Sequence, residues 1–277
     1  MKKKQLASKM LLTLCVAVFA VIFLMPFLWM LSSSLKTPMQ VFETAFRWVT
    51  DRLHWENFAE VWNNPDMPFW QLYLNSLFIA VTSVVGQIIV ASLAAYAFAK
   101  IEFPGRDVVF MIMLVTMMIP VQALIIPRYM LFYNLKLYDT PWAIILPNLF
   151  HATSIFLLRQ FYMGIPNELV DAALIDGAGH FRIWTSIMVP LSKNGIISAA
   201  ILAFISAWNE YLSPLVFLPS RENYTVALGI RWYLNDTAQE YNLMMCAAAC
   251  TILPIIIIYV SAQKYFEDGV AASGVKG

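Results

Sequence analysis

Residues 11–31 read LLTLCVAVFAVIFLMPFLWML, and the solvent this stretch demands decides the fold. It contains no charged residue. Wound as a helix at about 1.5 Å per residue, it reaches roughly 30 Å, the thickness of a bilayer's hydrocarbon core. An α-helix also satisfies its own backbone donors and acceptors where no water is present. Taken with its flanks, the span covers about 10–32. Five further stretches have the same character, at about 74–99, 108–127, 141–161, 195–218 and 242–262. The chain therefore reads as an all-α membrane protein of six transmembrane helices in one domain, 1–277. The first run has a positive n-region, but its apolar core is too long for a cleaved signal. No small-x-small site ends it, so it reads as a retained anchor.

Composition agrees. Of 277 residues, 60% are apolar and 13% charged, against about 45–50% and about 25% in soluble domains. The net charge is +1, with no basic block beyond Lys2, Lys3, Lys4 and Lys9, which argues against a nucleic-acid partner. If the N-terminus is cytoplasmic, the inner segments hold eleven of the 18 lysines and arginines and the outer ones seven. That bias favours both termini inside, with Arg128 and Lys136 on an outer loop as its weak point. Trp48, Trp55, Trp62 and Trp70 fit an interfacial layer, with a binding platform as the other reading. Cys246 and Cys250 lie one turn apart without a histidine or acid at ligand spacing, so they read as small buried hydrophobes and no metal site is expected. No internal repeat is visible.

Polar groups inside spans usually face the bundle interior or a water-filled path. Trp208, Asn209 and Glu210 lie in the fifth span, where they fit either a solute route or packing against a neighbouring helix. Asn148 and His151, three apart in the fourth span, share a face. Pro147, Pro214 and Pro254 introduce candidate kinks.

The informative stretch is GIPNELVDAALIDGAGHFRIWTSIMVPLSKNG at 164–195, which makes up nearly all of the inner loop 162–194. Asn167 is a candidate N-cap, Glu168 and Asp171 put negative charge in the first turn, and Gly177 with Gly179 supplies a stop. The spacing predicts a helix over about 168–176. Leu169, Ala172, Ala173 and Leu174 lie close to one face, where the alanines permit another surface to approach. Spacing alone leaves open whether that surface belongs to this chain or to a partner.

DAALIDGA at 171–178, followed by Phe181, Ile187, Pro190 and Leu191, resembles the EAA loop of binding-protein-dependent ABC importer permeases. The likeness extends through AAYAFAKIEFPGR at 94–106, MIPVQALIIPRY at 118–129, FLLRQFYMGIP at 156–166, WNEYLSPL at 208–215 and GVAASGVKG at 269–277. These stretches are most similar to the smaller permease subunit of maltose-type, carbohydrate-uptake systems. The resemblance implies a type I ABC importer permease architecture and an inner-membrane location. It implies partnership with a second, unlike permease, two ATPase subunits and an extracytoplasmic binding protein. It also implies a carbohydrate substrate, a di- or oligosaccharide, or a glycerol-phosphate-like solute. Asp171, Ala172 and Ala173 occupy the EAA positions, with aspartate shortening the reach of the first. Asp176, Gly177 and Ala178 match the DGA that follows, and Glu168 precedes them. Asn194 stands near where relatives carry proline, which implies a softer bend at the start of the fifth span. The likeness further implies that Gly274, Lys276 and Gly277 reach the ATPase, although a frayed tail fits those residues equally well.

The chain lacks a P-loop: Val275 separates Gly274 from Lys276, and no hydroxyl residue follows. His54, His151 and His180 are scattered over different segments, so no catalytic arrangement emerges. No hydrolysis by this chain is expected, and it needs no cofactor of its own. ATP and Mg belong, by the resemblance, to the partner ATPase. The rival reading is a proton-coupled secondary transporter working through Glu210 and His151.

Overall fold

The computed structural model describes residues 2–43, 47–234 and 240–274, with side chains over 9–43, 47–234 and 240–263. In chain order the helices are α1 Lys2–Ser34, α2 Glu56–Trp62, α3 Phe69–Lys100, α4 Arg106–Thr116, α5 Ile125–Asn134, α6 Trp142–Asn148 and α7 Ala152–Met163. They continue as α8 Asn167–Ile175, α9 His180–Ile183, α10 Val189–Leu191, α11 Lys193–Trp208, α12 Leu212–Phe217, α13 Val226–Gly229 and α14 Tyr241–Gly274. A π-helical turn, Trp184–Met188, joins α9 to α10. No β-strand occurs among the described residues.

Among the described residues, four stretches are long and apolar enough to cross a bilayer: Lys9–Ser34, Phe69–Lys100, Trp142–Met163 and Tyr241–Gln263. The number rises to six if each of two bent pairs counts as one crossing. The sequence predicts one helix over 108–127, but the chain forms α4 and then bends by 92° into a 3-10 turn and α5. Pro120 is the cause. It has no N–H to continue the ladder, it disfavours helix at Ile119, and its own ψ is 131°. The expected span 195–218 is likewise interrupted, with α11 ending at Trp208 and α12 starting at Leu212. Pro214 does not cause that break; it lies in the first turn of α12, where a missing N–H costs little. Pro254 sits within the continuous α14.

The chain divides into two compact units. The described residues of 1–70 with those of 229–253 form one. Here α1 ends in carbonyls that need partners. Asn57, buried on α2, donates to the carbonyls of Ser34 and Lys36, each at 2.9 Å. Cys246 Sγ donates to the Ser34 carbonyl at 3.0 Å, and both Cys246 and Cys250 are buried. Phe42 meets Tyr241 edge-on at 4.8 Å, and Trp62 meets Phe69 at 5.3 Å. Trp48, Trp55 and Trp70 are exposed.

The described residues of 71–228 with those of 254–277 form the other unit. Its largest core joins Ala91, Ala95 and Tyr96 of α3 to Phe110 and Met113 of α4, Ile155, Leu158 and Tyr162 of α7, and Ala199 of α11. Close approach of α7 and α11 depends on Gly195, because a Cβ there would stand 2.5 Å from the Phe161 ring. The start of α3 is stitched to the 218–226 segment: Asn75 Nδ2 donates to the Glu222 and Tyr224 carbonyls, and Ser76 Oγ accepts from Val226 N. Asp139, in a left-handed conformation at φ 61°, accepts from Ser220 N, Ser220 Oγ and Asn223 Nδ2. Partial burial pushes its carboxyl upward, but those donors prevail and hold it below the ordinary aspartate value of 3.8.

Two outcomes are expected. Gly195→Ala forces the Phe161 ring aside and lowers stability by about 1–3 kcal/mol, read as a fall in the thermal midpoint of the detergent-solubilised protein. Because the folded-state pKa of Asp139 is depressed, its stabilising contribution is complete above the unfolded value and fades as pH falls through the folded one. Acidification below about 4 should therefore lower the midpoint, and Asp139→Asn should flatten that dependence.

Candidate functional site

The loop between α7 and α11 carries the densest set of expected site residues. Its helix α8 starts at Asn167, one residue before the sequence-based start. Asn167 does not cap it. Pro166 occupies that position without a side-chain bond, and Asn167 Oδ1 instead accepts from Lys100 Nζ at 2.6 Å. Of the two acids expected in the first turn only Glu168 lies there, where the helix dipole favours a carboxylate; with the start at Asn167, Asp171 falls beyond it.

The C-terminus closes as a Schellman motif. Gly177, at φ 80°, donates to the Leu174 carbonyl at 3.0 Å, and Ala178 N donates to the Ala173 carbonyl at 2.9 Å. Ala173 and Ala178 pack together against the main core. Gly177 alone carries the stop; Gly179, at φ −72° and ψ 158°, is extended backbone ahead of α9.

The face expected to hold Leu169, Ala172, Ala173 and Leu174 together is split. Val170 is buried and Ala173 half-buried against the core, whereas Leu169, Ala172, Leu174 and Ile175 are exposed. Ile175 is 86% exposed and Phe181 69%, an unusual display for large apolar side chains beside carboxylates. Asp171, Asp176 and Gly177 are exposed with them. One side of α8 thus belongs to this chain, and the other is offered outward.

After α8 the chain turns by 83° between α9–α10 and α11. The bend falls at Ser192, at φ −102° and ψ 20°, so the softer bend implied by Asn194 does not occur: a break in the ladder two residues earlier replaces the proline.

The residues expected along a solute route are dispersed. Asn148 ends α6, and His151 precedes α7 in an extended conformation at φ −134° and ψ 109°. The helix breaks between them, so helical spacing does not put them on one face. Trp208 is 1% exposed, stacked on Phe204 at 5.6 Å and edge-on to Tyr73 at 5.3 Å; its ring is core. Asn209 Nδ2 donates to the Ile205 carbonyl at the end of α11. Glu210 Oε1 accepts from Ser213 N at 2.8 Å, capping the first turn of α12. Gly274 ends the described part of α14, while Lys276 and Gly277 lie outside the described residues.

Sequence reading missed the groups that fasten the loop. Tyr96 Oη and His180 Nδ1 are 3.0 Å apart, Trp184 Nε1 donates to Ser92 Oγ at 2.8 Å, and Ser92 Oγ pairs with Tyr162 Oη. Arg159 Nε donates to the Phe98 carbonyl at 3.2 Å, with its guanidinium 4.2 Å from the Phe110 ring centre. Tyrosine, serine and lysine at four-residue spacing was the available signal.

Comparison with known proteins defines the class. Residues 87–272 match the family model described as binding-protein-dependent transport system inner membrane component. The chain is 32% identical over 269 residues to the arabinooligosaccharides transport system permease protein AraQ of Halalkalibacterium halodurans, covering 96% of each. It is 34% identical over 240 residues to the sn-glycerol-3-phosphate transport system permease protein UgpE of Yersinia pestis, covering 84% of this chain and 85% of that one. The fold is similar to a chain in the crystal structure of a bacterial ABC transporter involved in the import of the acidic polysaccharide alginate. That likeness has a TM-score of 0.81 at 24% identity, over 93% of this chain and 96% of the other. The chain belongs to the family of inner-membrane permease components of binding-protein-dependent transport systems. It is a multi-pass membrane protein.

A Cβ at Gly177 or Gly179 would meet nothing within 4 Å, so only conformation separates the two. Gly177→Ala should cost about 1–2 kcal/mol through its left-handed backbone. Amide exchange at residues 177 and 178 should then rise roughly tenfold, and Gly179→Ala should leave it unchanged.

Proposed function

We propose that this chain forms half of the translocation path of an ATP-binding-cassette importer. Its solute is a di- or oligosaccharide, or a glycerol-phosphate-like molecule. Loop 162–194 couples it to a separate ATPase subunit. The supporting observation is the two-sided α8. Val170 and Ala173 seat it on its own chain, while Glu168, Leu169, Asp171, Ala172, Ile175 and Asp176 are presented outward with Phe181 nearby. Exposed isoleucine and phenylalanine beside an exposed small residue suit a groove in a soluble partner. Gly177 and Ala178 fix the exit of the helix so that this face keeps one orientation.

In this reading both termini are cytoplasmic, and the spans follow the six apolar stretches. A second permease subunit completes the path, two ATPase copies bind the cytoplasmic face, and a binding protein delivers solute from outside. Gly274, Lys276 and Gly277 approach the same ATPase. ATP and Mg act on that subunit, and this chain holds no cofactor. The capping role of Glu210 and the separation of Asn148 from His151 weigh against a proton relay through these residues. Glu210, Asn209 and Trp208 contribute to the route by fixing the α11–α12 break, with Asn148 and His151 flanking the α6–α7 break. The sugar preference is supported by relatives named for arabinooligosaccharides and sn-glycerol-3-phosphate.

Purification in mild detergent should recover an ATPase subunit, and Ala172→Cys should crosslink to it. Gly177→Leu should abolish solute uptake by proteoliposomes supplied with ATP while leaving membrane insertion intact. A panel of arabinose oligosaccharides, alginate oligosaccharides and sn-glycerol-3-phosphate identifies the solute class. Uptake by the purified chain alone, collapsing with a protonophore, would overturn the assignment.

A further inference from the structure

Helix α3 is bonded to the coupling loop by three side chains at one spacing. Ser92, Tyr96 and Lys100 follow each other at four residues, so they form a single stripe on the helix surface. Ser92 accepts from Trp184 of the π-helical turn and pairs with Tyr162 of α7. Tyr96 meets His180 at the start of α9. Lys100 donates to the Ile165 carbonyl and to Asn167 Oδ1 at the start of α8, with Glu168 and Asp171 close enough to act on its charge. The stripe therefore grips the loop on both sides of α8. Ser92 is 2% and Tyr96 3% exposed, so water competes little for these bonds.

The covalent joints of the loop are poorer conductors of motion. At one end, Gly164, Ile165 and Pro166 separate α7 from α8; at the other, the chain bends by 83°. Beyond those joints α7 begins only after the break at 149–151, and α11 stops ahead of the break at 209–211. Helix α3 runs unbroken over 32 residues, roughly 48 Å at 1.5 Å per residue. Its other end is stitched through Asn75 and Ser76 to the 222–226 segment. A continuous helix held at both ends transmits displacement, whereas a broken one absorbs it at the break.

We infer that Ser92, Tyr96 and Lys100 are positioning residues that make α3 the lever of this permease, carrying displacement of the coupling loop to the far side of the unit. The inference rests on the loop being the ATPase socket. The attached helices α7 and α11 hold the loop in place, and α3 passes the stroke.

The test uses the purified importer complex in lipid nanodiscs. A cysteine replaces Leu74, Leu77 or Phe78 at the far end of α3 on a Cys15→Ser background, in which the two remaining native cysteines, Cys246 and Cys250, are buried. Maleimide labelling is timed with and without ATP plus vanadate, and Ala172→Cys crosslinking to the ATPase is measured in parallel. In the parent complex nucleotide should change the labelling rate several-fold at one or more positions. In the variant carrying Lys100→Met, Tyr96→Phe and Trp184→Phe that response should be lost while the Ala172 crosslink persists. Lys100→Met alone, which leaves the buried pairs intact, should weaken it, and Lys100→Arg should retain it. An undiminished response in the triple variant with the crosslink intact overturns the lever, as does a parent in which no position responds. Failure of the parent to crosslink from Ala172 overturns the socket reading and the lever with it.

Discussion

Where water is absent, every backbone N–H and C=O must find a partner inside the protein, and that obligation governs this chain from end to end. It explains why apolar stretches become helices. It also explains where scarce polar side chains go, because each interruption of a helix leaves donors and acceptors to be met. Asn57 serves the end of α1, Arg159 the Phe98 carbonyl near the end of α3, and Glu210 the start of α12. Lys100 meets the Ile165 carbonyl in the joint between α7 and α8.

This redistributes the roles of residues that look functional by type. A carboxylate, an amide and an indole in sequence at 208–210 suggest a sugar-binding wall. In the folded chain the indole is core, the amide bonds its own helix end and the carboxylate caps the next. Their contribution is to hold a break open at a fixed place. The loop between α7 and α11 runs the other way: the outward residues of α8 are apolar or acidic, which is the basis of the proposed docking of another subunit. One face of that short helix serves stability, and the proposed coupling falls to the other.

The fold class was legible because hydrophobic length is a local property. Six apolar stretches, a charge bias and one glycine-terminated helix can be counted without knowing any contact. The loop helix appeared within one residue of its expected limits, since Gly177 and the DAALIDGA pattern act over a single turn. The bend at Pro120 was equally available in the sequence, where a proline inside an apolar run marks a break.

What the sequence by itself determined is therefore the solvent, the helical class and the position of the loop, all set by neighbours along the chain. Only the tertiary structure decided which alanine of the pair faces inward, that Asn148 and His151 part at a break, and that Ser92, Tyr96 and Lys100 hold the loop. The last of these depends on partners 65 to 92 residues away. Long-range pairing of this kind leaves no periodic trace, because a hydrogen bond constrains where two atoms meet and not how far apart they lie along the chain.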